Sequence, residues 1–298
     1  MKPGAVATRT SILLAEASTK ANDIEGSTFD PVELVSKYRE WAIGQIRMLG
    51  SVLDGSGLDQ AIRTRVFWAV MTGAVSPQDS MAMKGLVQNE LSDRVIYLST
   101  QAEFIKKELG RWVDHGSSKI THALILDTNV LLHHFDEFET MNWNGLLDMR
   151  DDSISLAITR QAVRELDNLK KSSNKMYKNG VEKPVRSLAR QSLKHIDDWF
   201  ISPDRPYIFR MRSADMTTSE VTSFLQVIFV LDDIDHIPIP DHDAEIVTRG
   251  LNIQPFTASV TVVSYDTAIT LQARQAGLKS KLLHEIEPRS GGRVAPGN

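Results

Sequence analysis

Hydrophobic residues recur every three or four positions in several segments between residues 34 and 112, a spacing that predicts α-helices. The first such stripe covers 34–52, with Gln45 as its one polar position, and the segment DGSG (54–57) ends it. A second, short helix is predicted at about 58–72. The longest stripe covers 87–112 and alternates spacings of four and three without a fault. These patterns predict a small all-α domain at 31–118.

The helical part leaves two questions open. Residues 1–30 are small and polar without a clear period, so they are expected to form a flexible tail. The stripe at 87–112 suits either a coiled-coil seam or a long helix inside a bundle. The apolar face at 34–52 offers a matching surface, which favours packing within the domain. A homodimer through the N-terminal helices is the alternative.

The pattern changes at residue 120, where short β-type runs begin to alternate with helical ones. Strands are predicted at 120–126, 153–159, 207–212 and 260–264, and helices at about 160–170, 184–200, 242–251 and 267–276. Such alternation predicts parallel βαβ units and a three-layer α/β domain. That domain covers 119–287, and a flexible tail follows at 288–298.

Composition and charge narrow the class of protein. Hydrophobic residues make up 42% of the 298 positions, enough for a packed core in two domains. The absence of cysteine excludes disulfides, thiolate chemistry and cysteine-bound zinc. The net charge of −4 argues against a general polyanion binder. No apolar run reaches the 18 to 20 residues of a membrane span, and a cytoplasmic protein without membrane contact is expected.

Four acidic residues of the predicted α/β domain lie at strand ends or near helix starts. Asp127 and Asp266 each follow a strand, whereas Glu165 and Asp243 lie near the starts of helices. In a parallel sheet all four positions belong to the carboxyl edge, where sites form. Four carboxylates repel one another unless a cation compensates them, and Mg²⁺ or Mn²⁺ prefers such oxygen ligands. The sequence therefore indicates metal-assisted hydrolysis of a phosphodiester.

Simpler interpretations exist for each acid taken alone. Asp127 after a strand could be only a helix N-cap, and Asp241 and Asp243 could both cap the helix behind Pro240. Glu165 could be an ordinary helix-surface acid, and its neighbour Asp167 is a rival for its role. The six acids from Asp232 to Glu245 are expected to form mostly a solvated loop, with Asp241 supporting the site from outside. His133 and His134 follow the first motif by a helical turn and are expected on the helix side. The case for a metal site depends on the four acids together.

The motifs LILDTNVLL, AITRQAVRELDNLKKSS, DAEIV and VTVVSYDTAITLQARQAG follow one another in this order. Together they resemble the PIN domain of nucleases, in the branch whose second motif reads Glu-Leu-Asp-x-Leu-Lys. The resemblance covers roughly 120–285 and implies a metal-dependent ribonuclease, usually an endonuclease. It makes Asp127, Glu165, Asp243 and Asp266 the catalytic and metal-binding acids.

Two further residues of the motifs carry expected roles. By the same resemblance Asn129 would orient the first aspartate, and Ser264 stands where the family often has Thr or Ser. Tyr265 departs from the Asn that is common just before the last acid. Residues 1–119 match no motif of this family.

A basic stretch follows the predicted Glu165 helix, with Glu182 as its one acid. The candidate nucleic-acid-binding residues in it are Lys170, Lys171, Lys175, Lys178, Arg186 and Arg190, and Lys183 and Lys194 add to its charge. Such side chains neutralise phosphates without reading sequence, and Tyr177 could stack on a base. The expected partner is single-stranded RNA, possibly structured. A non-catalytic PIN-like module that binds RNA or protein, and a toxin of a toxin–antitoxin pair, are the alternatives.

Overall fold

The computed structural model describes residues 1–27, 29–73, 80–147, 153–178, 180–211, 223–232 and 236–284. The predicted tail at 288–298 lies outside these residues. The chain separates into two compact units, 1–110 and 111–298. The first is helical wherever it has regular structure, and the second contains the main sheet.

Five helices form the described part of the first unit: α1 (Ala7–Glu25), α2 (Pro31–Leu49), α3 (Gly55–Ala61), α4 (Arg65–Thr72) and α5 (Ser80–Arg111). The prediction of a flexible tail at 1–30 is wrong, because α1 occupies most of it. Its buried face consists largely of small side chains, including Ala17 and Ala21, so the hydrophobic period is weak. Small residues let α2 approach closely, and the indole nitrogen of Trp41 donates to the carbonyl of Ala17 at 3.2 Å.

The helix predicted at 58–72 is two helices, α3 and α4. Thr64 separates them, because its hydroxyl oxygen accepts a hydrogen bond from the amide of Phe67 and caps α4. A capping side chain needs non-helical backbone, which ends continuous helical geometry at that position. The same hydroxyl donates to Glu90 on α5 at 2.8 Å, which ties the cap to the long helix.

The apolar stripe of α5 is buried, as internal packing predicts. Val87, Leu91 and Leu98 are shielded from solvent. Ser18 of α1 donates to the carbonyl of Val95 at 3.0 Å, so α1 is one of the elements that pack on α5. This part of the stripe is not available for a coiled-coil seam. Dimerisation through another surface of 31–113 stays a prediction.

The second unit contains ten strands and six helices in its described residues. The strands are β1 (Val113–Asp114), β2 (Lys119–Ile120), β3 (His122–Leu126), β4 (Ile154–Thr159), β5 (Lys175–Lys178), β6 (Val181–Pro184), β7 (Tyr207–Arg210), β8 (Leu225–Val230), β9 (Ser259–Ser264) and β10 (Lys279–Leu282). The helices are α6 (Thr128–His134), α7 (Trp143–Leu146), α8 (Arg160–Leu169), α9 (Val185–Trp199), α10 (His242–Ile253) and α11 (Thr267–Gln275). A 3₁₀ turn, Gln254–Phe256, follows α10.

Six strands form the main sheet in the order β10-β9-β3-β4-β8-β7. Neighbouring strands are parallel except β7, which runs antiparallel to β8 at the edge. Two antiparallel pairs, β1 with β2 and β5 with β6, lie outside it. The expectation that the strand near 207–212 is parallel is therefore wrong. Its place beside β4 belongs to β8, which the sequence analysis did not predict.

Helices cover both faces of the sheet. Leu124 and Leu126 of β3 point to one face and pack in a core with residues of α6, α8 and α9. Ile125 points to the other face, where α10 approaches so closely that a Cβ on Gly250 would lie 2.9 Å from its Cδ1. Alternate residues of a strand face opposite sides, so β3 is buried from both. This confirms the predicted three-layer α/β architecture. None of the described helices combines the length and apolarity that a membrane span needs.

Candidate metal centre

The strand order places the predicted acids at one edge of the main sheet. From β3 the chain proceeds to β4 and β8 on one side and later returns to β9 and β10 on the other. A crevice forms at such a reversal outside the carboxyl ends of the strands. Asp127 follows β3 and Asp266 follows β9, while α8 carries Glu165 and α10 carries Asp243.

Asp127 is the most buried of these acids, with 6% of its surface exposed. Ser264 donates from its hydroxyl to Oδ2 at 2.7 Å, and the amide of Thr128 donates to Oδ1 at 2.6 Å. Burial raises the pKa of Asp127 to about 6, and the charges of Glu165 and Asp243 act in the same direction against these two hydrogen bonds. Desolvation disfavours the ionised carboxyl, so a nearby cation would be strongly favoured.

Glu165 is held by three side chains on three different helices. The hydroxyl of Thr128 donates to Oε2 at 2.6 Å, and the amide nitrogen of Gln161 donates to Oε1 at 3.1 Å. His242 Nδ1 lies 3.2 Å from the same Oε1. Thr128 therefore connects the first two acids, with its backbone on Asp127 and its side chain on Glu165. The sequence analysis missed Thr128 and His242, although both adjoin predicted acids.

Asp243 and Asp266 complete the edge. Burial raises the pKa of Asp243 above its ordinary value, and the charges of Asp266, Asp241 and Glu165 raise it further, whereas His242 lowers it. Asp266 caps α11 by accepting from the amide of Ala268 at 2.7 Å, and its own amide donates to the hydroxyl oxygen of Ser264 at 2.8 Å. Asp266 thus has the capping role considered for a strand-end acid, beside its electrostatic coupling to Asp243.

Of the three predicted supporting residues, Ser264 and Asp241 contact the acids or their backbone, and Asn129 does not hold Asp127. Ser264 contacts both Asp127 and the backbone of Asp266, as its place in the motif suggested. Asp241 is the N-cap of α10 and accepts from the amide of Asp243 at 3.0 Å. Asn129 is exposed, and the hydrogen bonds that hold Asp127 come instead from Ser264 and Thr128.

The acids form an open arrangement and not a closed cage. In the part of the chain that the structure describes, the one group whose three ligand atoms all lie within 4.8 Å of one another is Asp232, His236 and Glu245. No three of the four predicted acids bring their ligand atoms this close together, although they interact electrostatically. Wide spacing of carboxylates suits Mg²⁺ or Mn²⁺, since these hard ions keep several water ligands. The donor set therefore fits a hydrated divalent cation.

Comparison with known families settles the class of the α/β unit. The PIN domain family matches residues 124–284, more than half of the chain. The chain belongs to the PIN domain family. PIN domains are generally nucleases and typically depend on divalent metal ions. A comparison with curated proteins found no match.

A second charged cluster lies beside the acidic edge of this PIN domain. Glu245 accepts from the amide of Ile239 at 2.9 Å and from Arg249 Nε at 2.8 Å, with His236 Nε2 at 2.8 Å. Arg249 Nε also lies 3.3 Å from Asp232. Burial opposes ionisation of Glu245, but these contacts, that of Ile239 foremost, lower its pKa below the ordinary value.

The expectation of a solvated loop from Asp232 to Glu245 is wrong at the two ends of that segment. Asp232 and Glu245 belong to a buried ion network in which a guanidinium already supplies the positive charge. A metal ion would have to displace Arg249, so the cluster is structural. It fixes the segment that leads into Asp241 and Asp243 on α10. The signal in the sequence was the spacing of Glu245 and Arg249, four residues apart on one helix face.

The basic stretch of the PIN domain is divided by its ion pairs. Lys170 pairs with Asp167 at 2.5 Å, and Lys175 pairs with Glu182 across the β5–β6 hairpin at 2.9 Å. Arg186 and Arg190 are exposed on α9, and the described residues supply no ion pair for either. Arg186 and Arg190 thus remain the best candidates among the predicted nucleic-acid-binding residues. Lys171 is also exposed and is a weaker candidate.

Lys178 contradicts its predicted role in nucleic-acid binding. Its side chain is buried, with Nζ 2.5 Å from Asp136 and 4.0 Å from the ring centre of Phe135. Burial alone would raise the pKa of Asp136, but the hydrogen bond and charge of Lys178 outweigh it and lower that pKa. Strand alternation explains the inward direction, because Lys175 and Tyr177 occupy the outer face of β5. Lys178 anchors the hairpin to the segment after α6.

Replacing Lys178 by Met is expected to lower the free energy of unfolding by about 2 kcal/mol, since a charged hydrogen bond is lost. Asp136 is half-exposed and can be rehydrated, which limits the loss. Urea unfolding measures the effect, with Lys171→Met as the control at an exposed position. Adding Asp136→Asn to Lys178→Met should recover part of the stability. Equal stability of the two lysine variants would contradict the anchoring role.

Proposed function

We propose that this protein is a metal-dependent endoribonuclease that hydrolyses phosphodiester bonds of single-stranded RNA. The observation that carries the proposal is the convergence of four carboxylates on one sheet edge. Burial and mutual repulsion raise the pKa of Asp127 and that of Asp243 there. Membership of the PIN domain family supports a nuclease. RNA as substrate and internal cleavage follow from the resemblance of the motifs.

The residues that would hold Mg²⁺ or Mn²⁺ are Asp127, Glu165, Asp243 and Asp266. A bound ion of this kind supplies charge neutralisation at the phosphoryl group and activation of water at neutral pH. The chain's own part is positioning. Ser264 and Thr128 fix the carboxylate of Asp127, and the same Thr128 fixes that of Glu165. Preorganised carboxylates need little rearrangement when the substrate arrives.

The substrate path proposed here crosses α9. Arg186, Arg190 and Lys194 are four residues apart, so they form a row with about 6 Å between successive side chains along the axis. All three are exposed and have no ion pair among the described residues. α9 packs against α6 and α8, the helices that follow Asp127 and carry Glu165. The row thus adjoins the acid-bearing helices, where it would neutralise phosphates without reading bases.

The proposal is tested by incubating the full chain with end-labelled single-stranded RNA and Mn²⁺, Mg²⁺ or EDTA. Internal cleavage with either metal and none with EDTA is the expected result. Single-stranded DNA of the same sequence tests the preference for RNA. Tight RNA binding without cleavage under any metal would replace the proposal by the non-catalytic binding module.

The α9 row predicts a specific change in salt dependence. Arg186→Gln with Arg190→Gln should flatten the slope of log K against log salt for single-stranded RNA by about 1.4, because two phosphate contacts are lost. The matched double variant, Lys170→Gln with Lys175→Gln, removes two cations that are already paired and should leave the slope nearly unchanged. Binding is measured in EDTA to prevent cleavage. Equal slopes in the two variants would remove the row from the substrate path.

A further inference from the structure

The N-terminal end of helix α6 is hydrogen-bonded to the last residue of β9. Asp127 caps the helix, and its carboxylate accepts from the hydroxyl of Ser264 at 2.7 Å. Ser264 is the last residue of β9, and its hydroxyl oxygen accepts in turn from the amide of Asp266 at 2.8 Å. One hydroxyl therefore connects two of the four acids.

The other end of α6 reaches the same segment through a chain of side chains. His134 Nε2 lies 2.6 Å from the hydroxyl of Tyr265, and His134 Nδ1 lies 3.2 Å from Oε2 of Glu137. A carboxylate accepts hydrogen bonds, so Nδ1 carries the proton, and in a neutral imidazole Nε2 then accepts from the tyrosine hydroxyl. The rings of His134 and Tyr265 are nearly parallel, at 15°, and His133 packs against the same tyrosine at 4.7 Å between ring centres.

Tyr265 stands between Ser264 and Asp266, so fixing its side chain fixes the backbone on both sides. We propose that Glu137, His134 and Tyr265 are positioning residues that set the separation of Asp127 and Asp266. The proposal rests on the proposed function, because this separation matters if the two acids share a metal ion. Outer contacts that orient metal-binding side chains typically change metal affinity by 10-fold to 100-fold when they are removed.

The contact with His134 explains why this chain has Tyr265 where the family commonly has Asn. The Asn that is common in the family is too short to reach His134 from this backbone position, whereas a tyrosine spans the distance. The hydroxyl and the histidine therefore belong together as a pair. Either loss breaks the hydrogen bond that the two residues share, so the effects of the two losses should not add.

The test uses the full chain with Tyr265→Phe, His134→Ala and the double variant. Tyr177→Phe is the matched control, because Tyr177 is exposed on the β5–β6 hairpin. Hydrogen exchange of peptides covering 262–268 and 124–130, measured without metal, reports the order of the segment that carries the acids. Calorimetric titration with Mn²⁺ alone reports metal affinity without requiring cleavage. His134→Gln should preserve both readouts, because its amide oxygen can accept from the tyrosine hydroxyl.

We expect Tyr265→Phe and His134→Ala to speed exchange at 262–268 severalfold and to weaken Mn²⁺ binding by about tenfold. The double variant should resemble either single one. Unchanged exchange would overturn the proposal, and so would faster exchange with unaltered Mn²⁺ affinity. The unsubstituted protein could also fail to bind Mn²⁺ while exchange at 262–268 is still faster in Tyr265→Phe. That result would overturn the proposed function, but it would still show that Tyr265 orders this segment.

Discussion

Replacing Asp127 by Asn is expected to reduce RNA cleavage by at least about 10³-fold while the fold stays intact. Loss of one carboxylate from a metal site removes several kcal/mol of transition-state stabilisation, and each 1.36 kcal/mol is a factor of ten. Asparagine keeps the shape of the side chain and an oxygen for the amide of Thr128. Single-turnover cleavage of labelled RNA in Mn²⁺, with excess protein, measures the loss at the chemical step.

A suitable control is Asp167→Asn on the same helix as Glu165. Asp167 is half-exposed and pairs with Lys170, so its removal takes away a charge near the site without touching the acidic edge. Its cleavage rate should stay within about twofold of the unsubstituted rate. Equal cleavage by Asp127→Asn and the unsubstituted protein would show that the acidic edge is not the catalytic centre.

The second large effect is on the contribution of Asp127 to stability without metal, which should fall as pH rises from 4 to 7. The pKa of Asp127 is 3.8 in its ordinary state and about 6 in the folded chain. A raised carboxyl pKa means that the folded state binds the proton more tightly than the unfolded state. The contribution is therefore complete below pH 3.8 and lost as pH rises through 6. At 1.36 kcal/mol for each pH unit, the loss is at most about 3 kcal/mol.

Comparison with Asp127→Asn isolates this contribution, because asparagine does not titrate. Urea unfolding in EDTA should give the variant a growing advantage in stability between pH 4 and pH 7. Saturating Mn²⁺ should remove that advantage, since only the acid gains from the cation. A difference between the two proteins that does not vary with pH would mean that Asp127 is not strained by burial and neighbouring charge.

The fold was predictable where the hydrophobic period was strong. The strands that carry Asp127 and Asp266 follow from β-branched runs, and α5 follows from its unbroken stripe. α1 escaped prediction because buried alanines and serines give little hydrophobic contrast. β8 escaped although Val227, Ile228 and Phe229 form a continuous apolar run, which is typical of a strand buried on both faces. The antiparallel direction of β7 depends on its pairing with β8 and has no local signal.

The position of the four acids at one sheet edge was predictable from the sequence, and the side chains that contact them were less so. Spacing along the chain brings carboxylates to one sheet edge, but it does not reveal which hydroxyl reaches which oxygen. Thr128 serves Asp127 with its amide and Glu165 with its hydroxyl, a pairing that exists only once α6 and α8 are packed. Charge alone likewise did not separate the buried Lys178 from the exposed Arg186, because a β-hairpin turns alternate side chains inward.

The pairing of β3 with β9 determines when the acidic edge can form during synthesis of the chain. Asp127 and Ser264 are 137 positions apart in the chain, and they meet only when β9 lies next to β3. A nascent chain that has emerged as far as β8 possesses Asp127 and Glu165 but neither Ser264 nor Asp266. Contacts between distant positions form late, because a long loop must close first. The four acids can therefore assemble only after the chain has been synthesised through β9 and Asp266.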